Sequence, residues 1–156
     1  VTAFQWEPQD TVEDLKQKQQ YLKQKLKMKG VRYIYHDAYL SFLEGVLARG
    51  DRRLSSVIYS AYKKGSRFDS WQDCFKKEYY DEAFAENNTD TYFYANRQRR
   101  LDEIMPYSML EYHIDEKFLK RELELAKQGI TTPDCRQGCH ACGWQKHGCT
   151  MVGGAK

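Results

Sequence analysis

The chain is 156 residues long, 41% hydrophobic and 14% aromatic, enough to bury one core with a small appendage. Lysine and arginine number 25 against 22 acidic residues, a formal charge of +3, which is too mild a basic balance to imply wholesale nucleic-acid binding. No apolar run approaches the roughly 18 to 20 residues that cross a bilayer, and no charged-then-apolar leader opens the sequence, so no membrane partner and a cytoplasmic location are expected.

The sequence starts at Val1 without a methionine and reads as the interior of a longer protein. Phe4-Gln5-Trp6-Glu7-Pro8 is an aromatic segment stopped by proline, which lacks an amide donor and pushes its predecessor into extended backbone. It predicts an incoming strand end or loop. Val12, Leu15, Leu22, Leu26 and Met28 recur near helical spacing and predict a helix from Asp10 or Thr11 to Lys29, with Gly30 as its stop. Lys16, Lys18, Lys23, Lys25, Lys27 and Lys29 decorate its polar side, read as a solvated face rather than a phosphate-binding one. Val31 to His36 alternates β-branched and aromatic residues and predicts one short strand.

Asp37 reads as the N-cap of a helix carrying Tyr39, Leu40, Phe42, Leu43, Val46 and Leu47, ending at Arg49-Gly50. The next helix is expected from Asp51, with Leu54, Val57, Ile58, Ala61 and Tyr62 inward and Gly65 closing it; the two should pair as a hairpin. Ser70-Trp71-Gln72-Asp73 resembles a capping start for a helix through Phe75, Tyr79, Ala83 and Phe84, which would make Cys74 a small buried hydrophobe. After the loop Glu86 to Asp90, a short aromatic helix is expected over Thr91 to Leu101, and Ile104 to Tyr107 should run extended. Asp115 reads as the cap of a periodic helix, Glu116 to Gln128, with Phe118, Leu119, Leu123 and Ala126 inward and Gly129 after its end. The predicted fold class is therefore mainly α, helical hairpins with at most one short strand over residues 10–133, followed by a cysteine-rich metal-binding tail over 134–156. No G-x-G-x-x-G, P-loop, H-E-x-x-H or G-x-S-x-G motif is present.

That tail organises the rest. Cys135, Cys139, Cys142 and Cys149 follow the spacing C-x3-C-x2-C-x6-C, while Cys74 stands alone. Thiolates are soft anionic ligands, and cysteines two or three residues apart fold their sulfurs around one ion or one cluster face. Gly138, Ala141 and Gly143 allow the tight turns that aim sulfurs and amides together. Disulfides are disfavoured because the thiols are clustered and the chain is large enough to build a core without staples. His140 and His147 are alternate ligands, since imidazole replaces thiolate in zinc and iron-sulfur sites. A closed four-ligand 4Fe-4S cluster and a structural zinc both satisfy this spacing.

A second candidate is Ala48-Arg49-Gly50-Asp51-Arg52-Arg53, where Arg49, Arg52 and Arg53 offer forked donors for an anionic substrate group. The competing reading gives Asp51 a capping role and pairs the arginines with Glu44 or other neighbours. His36 and His113 flank aromatics, and no carboxylate-histidine-nucleophile arrangement surrounds either, so both read as structural.

Phe4-Gln5-Trp6, Ser41-Phe42-Leu43-Glu44, Ala48 to Arg53, Phe68-Asp69-Ser70-Trp71, Met105-Pro106-Tyr107 and Thr132-Pro133-Asp134-Cys135-Arg136, followed by Cys139-His140-Ala141-Cys142-Gly143, occur in an order that resembles one family. That family is the radical SAM proteins with a cobalamin-binding-like domain ahead of their barrel, and the resemblance is to their C-terminal region. It implies that residues 1–9 end an upstream barrel-like domain, that 10–133 form a helical accessory domain, and that 134–156 hold an auxiliary cluster. It further implies that SAM and a cobalamin-type cofactor belong to the parent chain, whose barrel and cobalamin-binding-like domain are the expected partners, and that this part alone is not catalytic. Cys135, Cys139 and Cys142 coincide with the radical SAM spacing itself, but in the family that motif follows an early barrel strand, whereas here it follows a helix. Tyr107 departs from the tryptophan usual after Pro106, and Cys149 lies farther from Cys142 than in close C-G-x-C endings. The alternative function is a non-catalytic zinc-stabilised module that binds RNA or protein through the lysine-rich helix and the arginine turn.

Overall fold

The computed structural model describes residues 2–71 and 73–150. Val1, Gln72 and residues 151–156 fall outside it, and with them the first residue of the expected 1–9 segment, one position of the helix expected from Ser70, and the end of the cysteine-rich segment. The described residues form helices α1 (Val12–Lys25), α2 (Ala38–Ala48), α3 (Leu54–Lys64), α4 (Lys77–Glu86), α5 (Thr91–Ala95) and α6 (Glu116–Lys127). Single 3-10 turns follow at Cys135–Gln137 and Trp144–His147. Among the described residues there is no strand, and no helix is long and apolar enough to cross a membrane.

The chain divides into two compact units, Pro8–Gln98 and a second made of the residues before Pro8 with those from Arg99 on. The second unit therefore contains α6 together with the cysteine-bearing segment.

In the unit Pro8–Gln98, α1 opens with a reciprocal capping box, Thr11 Oγ1 accepting the Asp14 amide at 3.1 Å and the Asp14 carboxylate accepting the Thr11 amide at 3.2 Å. The helix ends at Lys25, ahead of the expected Lys29, and none of its residues is fully buried. Residues 31–36 do not form the expected strand. A strand needs a partner ladder, and among the described residues none lies beside this segment; it is held through the His36 carbonyl, which accepts from Gln19 Nε2 at 2.8 Å, and by stacking of Tyr33 on Tyr35.

Asp37 caps α2 as expected, accepting the Tyr39 and Leu40 amides. α3 starts three residues later than Asp51 and ends where Gly65 turns left-handed, φ +112. Its closest partner is α4: Gly65 lies against Tyr79, and Asn87 Nδ2 donates to Ser60 Oγ at 3.0 Å, so the two run antiparallel as a helical hairpin. Lys64 links them by ion pairs to Glu82 and Glu86 at 2.8 and 2.6 Å. α2 packs chiefly on α5 and α1. Val46, Val57 and Ala83, from α2, α3 and α4, are completely buried in one cluster with Leu43, Leu54, Phe84 and Tyr94. Burial, then the Asp81 carboxylate that accepts from its hydroxyl at 2.7 Å, pushes Tyr39 far above an ordinary phenol.

Further expectations in this unit are corrected: α3 pairs with α4 and not with α2 as the expected hairpin had it. The helix expected from Ser70 begins only at Lys77, because Trp71 to Phe75 close consecutive turns, the Cys74 and Phe75 amides both donating to the Trp71 carbonyl at 3.0 and 2.9 Å. Phe75 packs onto the core and Cys74 is exposed, not a buried hydrophobe. The aromatic helix expected to Leu101 stops at Ala95. The Ala95 carbonyl accepts the Gln9 amide at 2.8 Å, and Asn96 Nδ2 donates to the Gln9 carbonyl at 2.9 Å, so this corner is used to tie down the incoming chain.

The second unit is built on Trp6, 1% exposed, which sits with Met105, Leu119 and Leu123. Each such side chain contributes roughly 2–3 kcal/mol of burial. The Trp6 carbonyl accepts the Arg99 amide at 2.9 Å, Tyr107 Oη donates to Gln5 Oε1 at 3.1 Å, and Lys127 pairs with Glu7 at 3.3 Å. Met105 to Leu110 form turns rather than the expected extended run, the Ser108 amide donating to the Met105 carbonyl at 3.0 Å. α6 follows its predicted periodicity, with Leu119 and Leu123 inward and Gly129 closing at φ +70.

Candidate metal centre

The site is assembled by docking the segment 134–149 onto the N-terminal end of α6. Asp115 is the N-cap residue, but its side chain makes no capping bond. Its amide donates to the Cys142 carbonyl at 2.8 Å, and its carboxylate accepts from Lys146 Nζ at 2.9 Å. Gly143 is buried at φ +111, where an added Cβ would stand 2.7 Å from the His113 carbonyl oxygen and 2.9 Å from the Asp115 nitrogen. Only glycine permits that approach in that backbone state. From the middle of α6, Arg121 donates to the His140 carbonyl, and Glu122 accepts from Thr132 Oγ1.

The cysteine segment itself is shaped by local hydrogen bonds. Asp134 accepts the Arg136 amide at 2.8 Å and grips its guanidinium, which holds the Asp134 carboxyl below its ordinary range and folds the turn that carries Cys135. Six residues after Cys135, Ala141 adopts φ +53, unusual for a residue with a Cβ, and its amide donates to Cys139 Sγ at 3.4 Å. A turn that turns an amide toward the first sulfur of a C-x2-C pair stabilises negative charge on that sulfur.

Cys135, Cys139, Cys142 and Cys149 all line one cavity of about 770 Å³, with His140, Phe118 and Pro133 on its wall. All are free thiols, Cys142 half-buried and the others exposed, so the S-S alternative is not realised. His140 Nε2 is buried without a hydrogen-bond partner. An orphaned imidazole nitrogen beside four thiols is a donor set with unused ligand capacity, and it fits a thiophilic metal centre. His147, the other alternate ligand, does not line this cavity. It stacks on His113 at 3.9 Å between ring centroids.

The spacing of the sulfurs bears on what fits. A single zinc with bonds of about 2.3 Å in a tetrahedron holds its sulfurs about 3.8 Å apart. Among the described residues, the one trio of potential ligand side chains with all ligand atoms within 4.8 Å of one another is Glu111, His113 and His147. No three of the cysteine sulfurs are that close. They surround a wide cavity rather than a point, which suits a polynuclear cluster better than one ion.

The arginine turn is occupied internally. Asp51 accepts the Arg53 amide at 2.9 Å and three guanidinium bonds, from Nε at 3.0 and 3.1 Å and from Nη2 at 2.6 Å. Arg53 thereby holds the Asp51 carboxyl down at about 2. Arg53 also lies over the Phe93 and Tyr94 rings, and Arg49 Nη1 donates to the Ala95 carbonyl at 3.2 Å. Glu44 faces His36 at 3.9 Å. Arg49 and Arg53 thus have structural roles, and Arg52 is exposed.

Sequence reasoning treated His113 as structural and did not single out Glu111. The available signal was Glu111-x-His113 directly before the Asp115 cap. The long-range proximity of His147 could not be read from spacing. In comparisons with known proteins, the chain matches no protein-family model, no curated protein and no solved structure.

Proposed function

We propose that this chain is the C-terminal accessory part of a radical SAM enzyme, and that Cys135, Cys139, Cys142 and Cys149 hold an auxiliary 4Fe-4S cluster, with His140 beside them. The carrying observation is that four free thiols line one cavity while no three of their sulfurs approach within 4.8 Å. The enzyme assignment rests on the sequence resemblance. The placement of the cysteines after α6, and not after a strand, supports an auxiliary role over SAM cleavage.

A cluster with four protein ligands supplies electron relay or structural anchoring. The chain's own residues prepare its seat. Ala141 donates to Cys139 Sγ, Phe118 and Pro133 give one wall an apolar lining, and the Asp115, Gly143 and Arg121 contacts fix the segment to α6. SAM, a cobalamin-type cofactor and the reacting substrate belong in this reading to upstream domains.

Anaerobic purification with iron, sulfide and zinc analysis, together with visible absorption, tests the proposal. Expected are iron and sulfide in near-equal amounts, about four of each per chain, and a brown protein whose colour is lost in Cys139→Ser. A colourless protein holding one zinc per chain overturns it.

A second reading is a zinc-stabilised polyanion-binding module. One observation favours it: Lys16 and Lys23 of α1, with Lys27 just past its end, line a shallow groove along this helix, which has no fully buried residue. It requires RNA binding that falls steeply with salt, and salt-independent or absent binding removes it.

A further inference from the structure

Away from the cysteine cavity, the second unit brings three unlike residues together. Glu111 and His113 lie in the irregular segment before α6, and His147 ends the 3-10 turn Trp144–His147. Their ligand atoms all lie within 4.8 Å of one another. They share a shallow depression of about 400 Å³ with Ser108, Asp115 and Lys146.

The arrangement is held from several sides. His113 is in the left-handed region at φ +58, uncommon for a residue with a Cβ although histidine tolerates it better than most. Its carbonyl is pressed against Gly143, and the Lys146–Asp115 ion pair clamps the turn bearing His147 to the same place. Trp144 stands edge-on to the His113 ring at 5.2 Å, and the two imidazoles are stacked 28° from parallel. His113 Nδ1 lies 3.2 Å from Glu111 Oε1 without the alignment of a hydrogen bond, and that nitrogen is buried with no other partner. Ring packing accounts for the stack, but not for a buried His113 nitrogen without a hydrogen bond beside a carboxylate and a second imidazole. That grouping of one carboxylate and two imidazoles is a ligand set in composition.

We infer that Glu111, His113 and His147 form a second metal site, distinct from the cysteines, that takes a divalent transition-metal ion of the zinc class. Imidazole and carboxylate ligands bind such ions at about 2.0–2.2 Å, which places neighbouring ligand atoms roughly 3.0–3.5 Å apart. The observed trio, within 4.8 Å, is wider than that, and closing on an ion requires the stacked His113 and His147 rings to turn so that their nitrogens converge. Three protein ligands leave a fourth position for water or an exogenous ligand, and exposed Glu111 gives that position a path to solvent. The inference stands independently of the identity of the cysteine centre, because a hard nitrogen and oxygen set and a soft sulfur set select differently.

The test is anaerobic titration of the full chain with Co²⁺. Cobalt on the trio gives weak visible d–d bands without sulfur charge transfer, whereas any cobalt on the cysteines shows that charge transfer, whether or not the cysteines also take iron or zinc. Expected is one equivalent of sulfur-free cobalt in the unaltered chain. It should be lost in His147→Ala and in His113→Asn, the latter chosen because asparagine tolerates left-handed backbone. Glu111→Gln, exposed and isosteric, keeps the test valid should a histidine variant unfold, and should weaken this equivalent by at least about 10-fold. Absence of a sulfur-free equivalent overturns the inference. So does its persistence, unweakened, in Glu111→Gln together with either folded histidine variant, and so does loss of cysteine-bound metal in step with it in Glu111→Gln, which would mean one shared site.

Discussion

Replacing Gly143 by alanine tests how the cysteine segment is seated. The new Cβ would meet backbone on two sides, the His113 oxygen at 2.7 Å and the Asp115 nitrogen at 2.9 Å. Neither can swing aside as a side-chain tip would, so the segment itself must move. Displacement breaks the bond from the Asp115 amide to the Cys142 carbonyl, costing about 1 kcal/mol or more, and φ +111 strains a residue with a Cβ by about 1–3 kcal/mol. Together the cost is roughly 2–4 kcal/mol, a large share of the 5–15 kcal/mol typical of a domain. Gly148→Ala is the internal control, because Gly148 also has a positive φ, +79, but nothing lies within 4 Å of its added Cβ. It should show strain alone, about 1 kcal/mol. Urea unfolding of the metal-loaded chain, read with metal content, separates the two. We expect Gly143→Ala to lose both stability and metal and Gly148→Ala to lose little of either. Equal behaviour of the two variants would refute the idea that close backbone approach at Gly143 builds the site.

Three further outcomes follow from the same geometry. Trp6→Ala should cost about 3–5 kcal/mol and lower the unfolding midpoint of the unit containing α6, because Trp6 is 1% exposed against Met105, Leu119 and Leu123; an unchanged midpoint in urea would place residues 2–7 outside that unit. Asp51 is held at about 2 in the folded chain against about 3.9 unfolded. A depressed carboxylate contributes stability that is present above the unfolded value and is lost as pH falls through the folded one, so stability should decline between about pH 4 and pH 2 and Asp51→Asn should flatten that decline. The group is partly exposed, so the effect is small, and an identical acid profile in the variant denies it. Cys74→Ser should leave metal content unchanged, since Cys74 is exposed and lies in the other unit; metal analysis showing a loss would bring it into the centre.

What was legible in the sequence was whatever local chemistry determines. The Asp37 cap, the Gly65 and Gly129 stops and the apolar stripe of α6 depend on residues within a turn or two of each other, and each stands where periodicity put it. The clustering of Cys135, Cys139, Cys142 and Cys149 was equally local, and all four reach one cavity. Where reading failed, a distant partner had overruled a local preference. Val31 to His36 has strand composition, but a strand requires a second strand, and Gln19 of α1 takes the His36 carbonyl instead. Asp115 has the right identity and position for a cap, yet its carboxylate serves Lys146, thirty-one residues later in the chain. The His113 assignment shows the same limit most clearly. Glu111-x-His113 is the only trace near residue 113, and it is incomplete, because the residue that would complete it, His147, is supplied by the very turn that Gly143 and Lys146 fasten down. The two candidate centres therefore share one mechanical support. A change at Gly143 should disturb both, whereas a change at Glu111 should disturb only one, and that asymmetry is how sulfur-bound and nitrogen-bound metal can be told apart in a single protein.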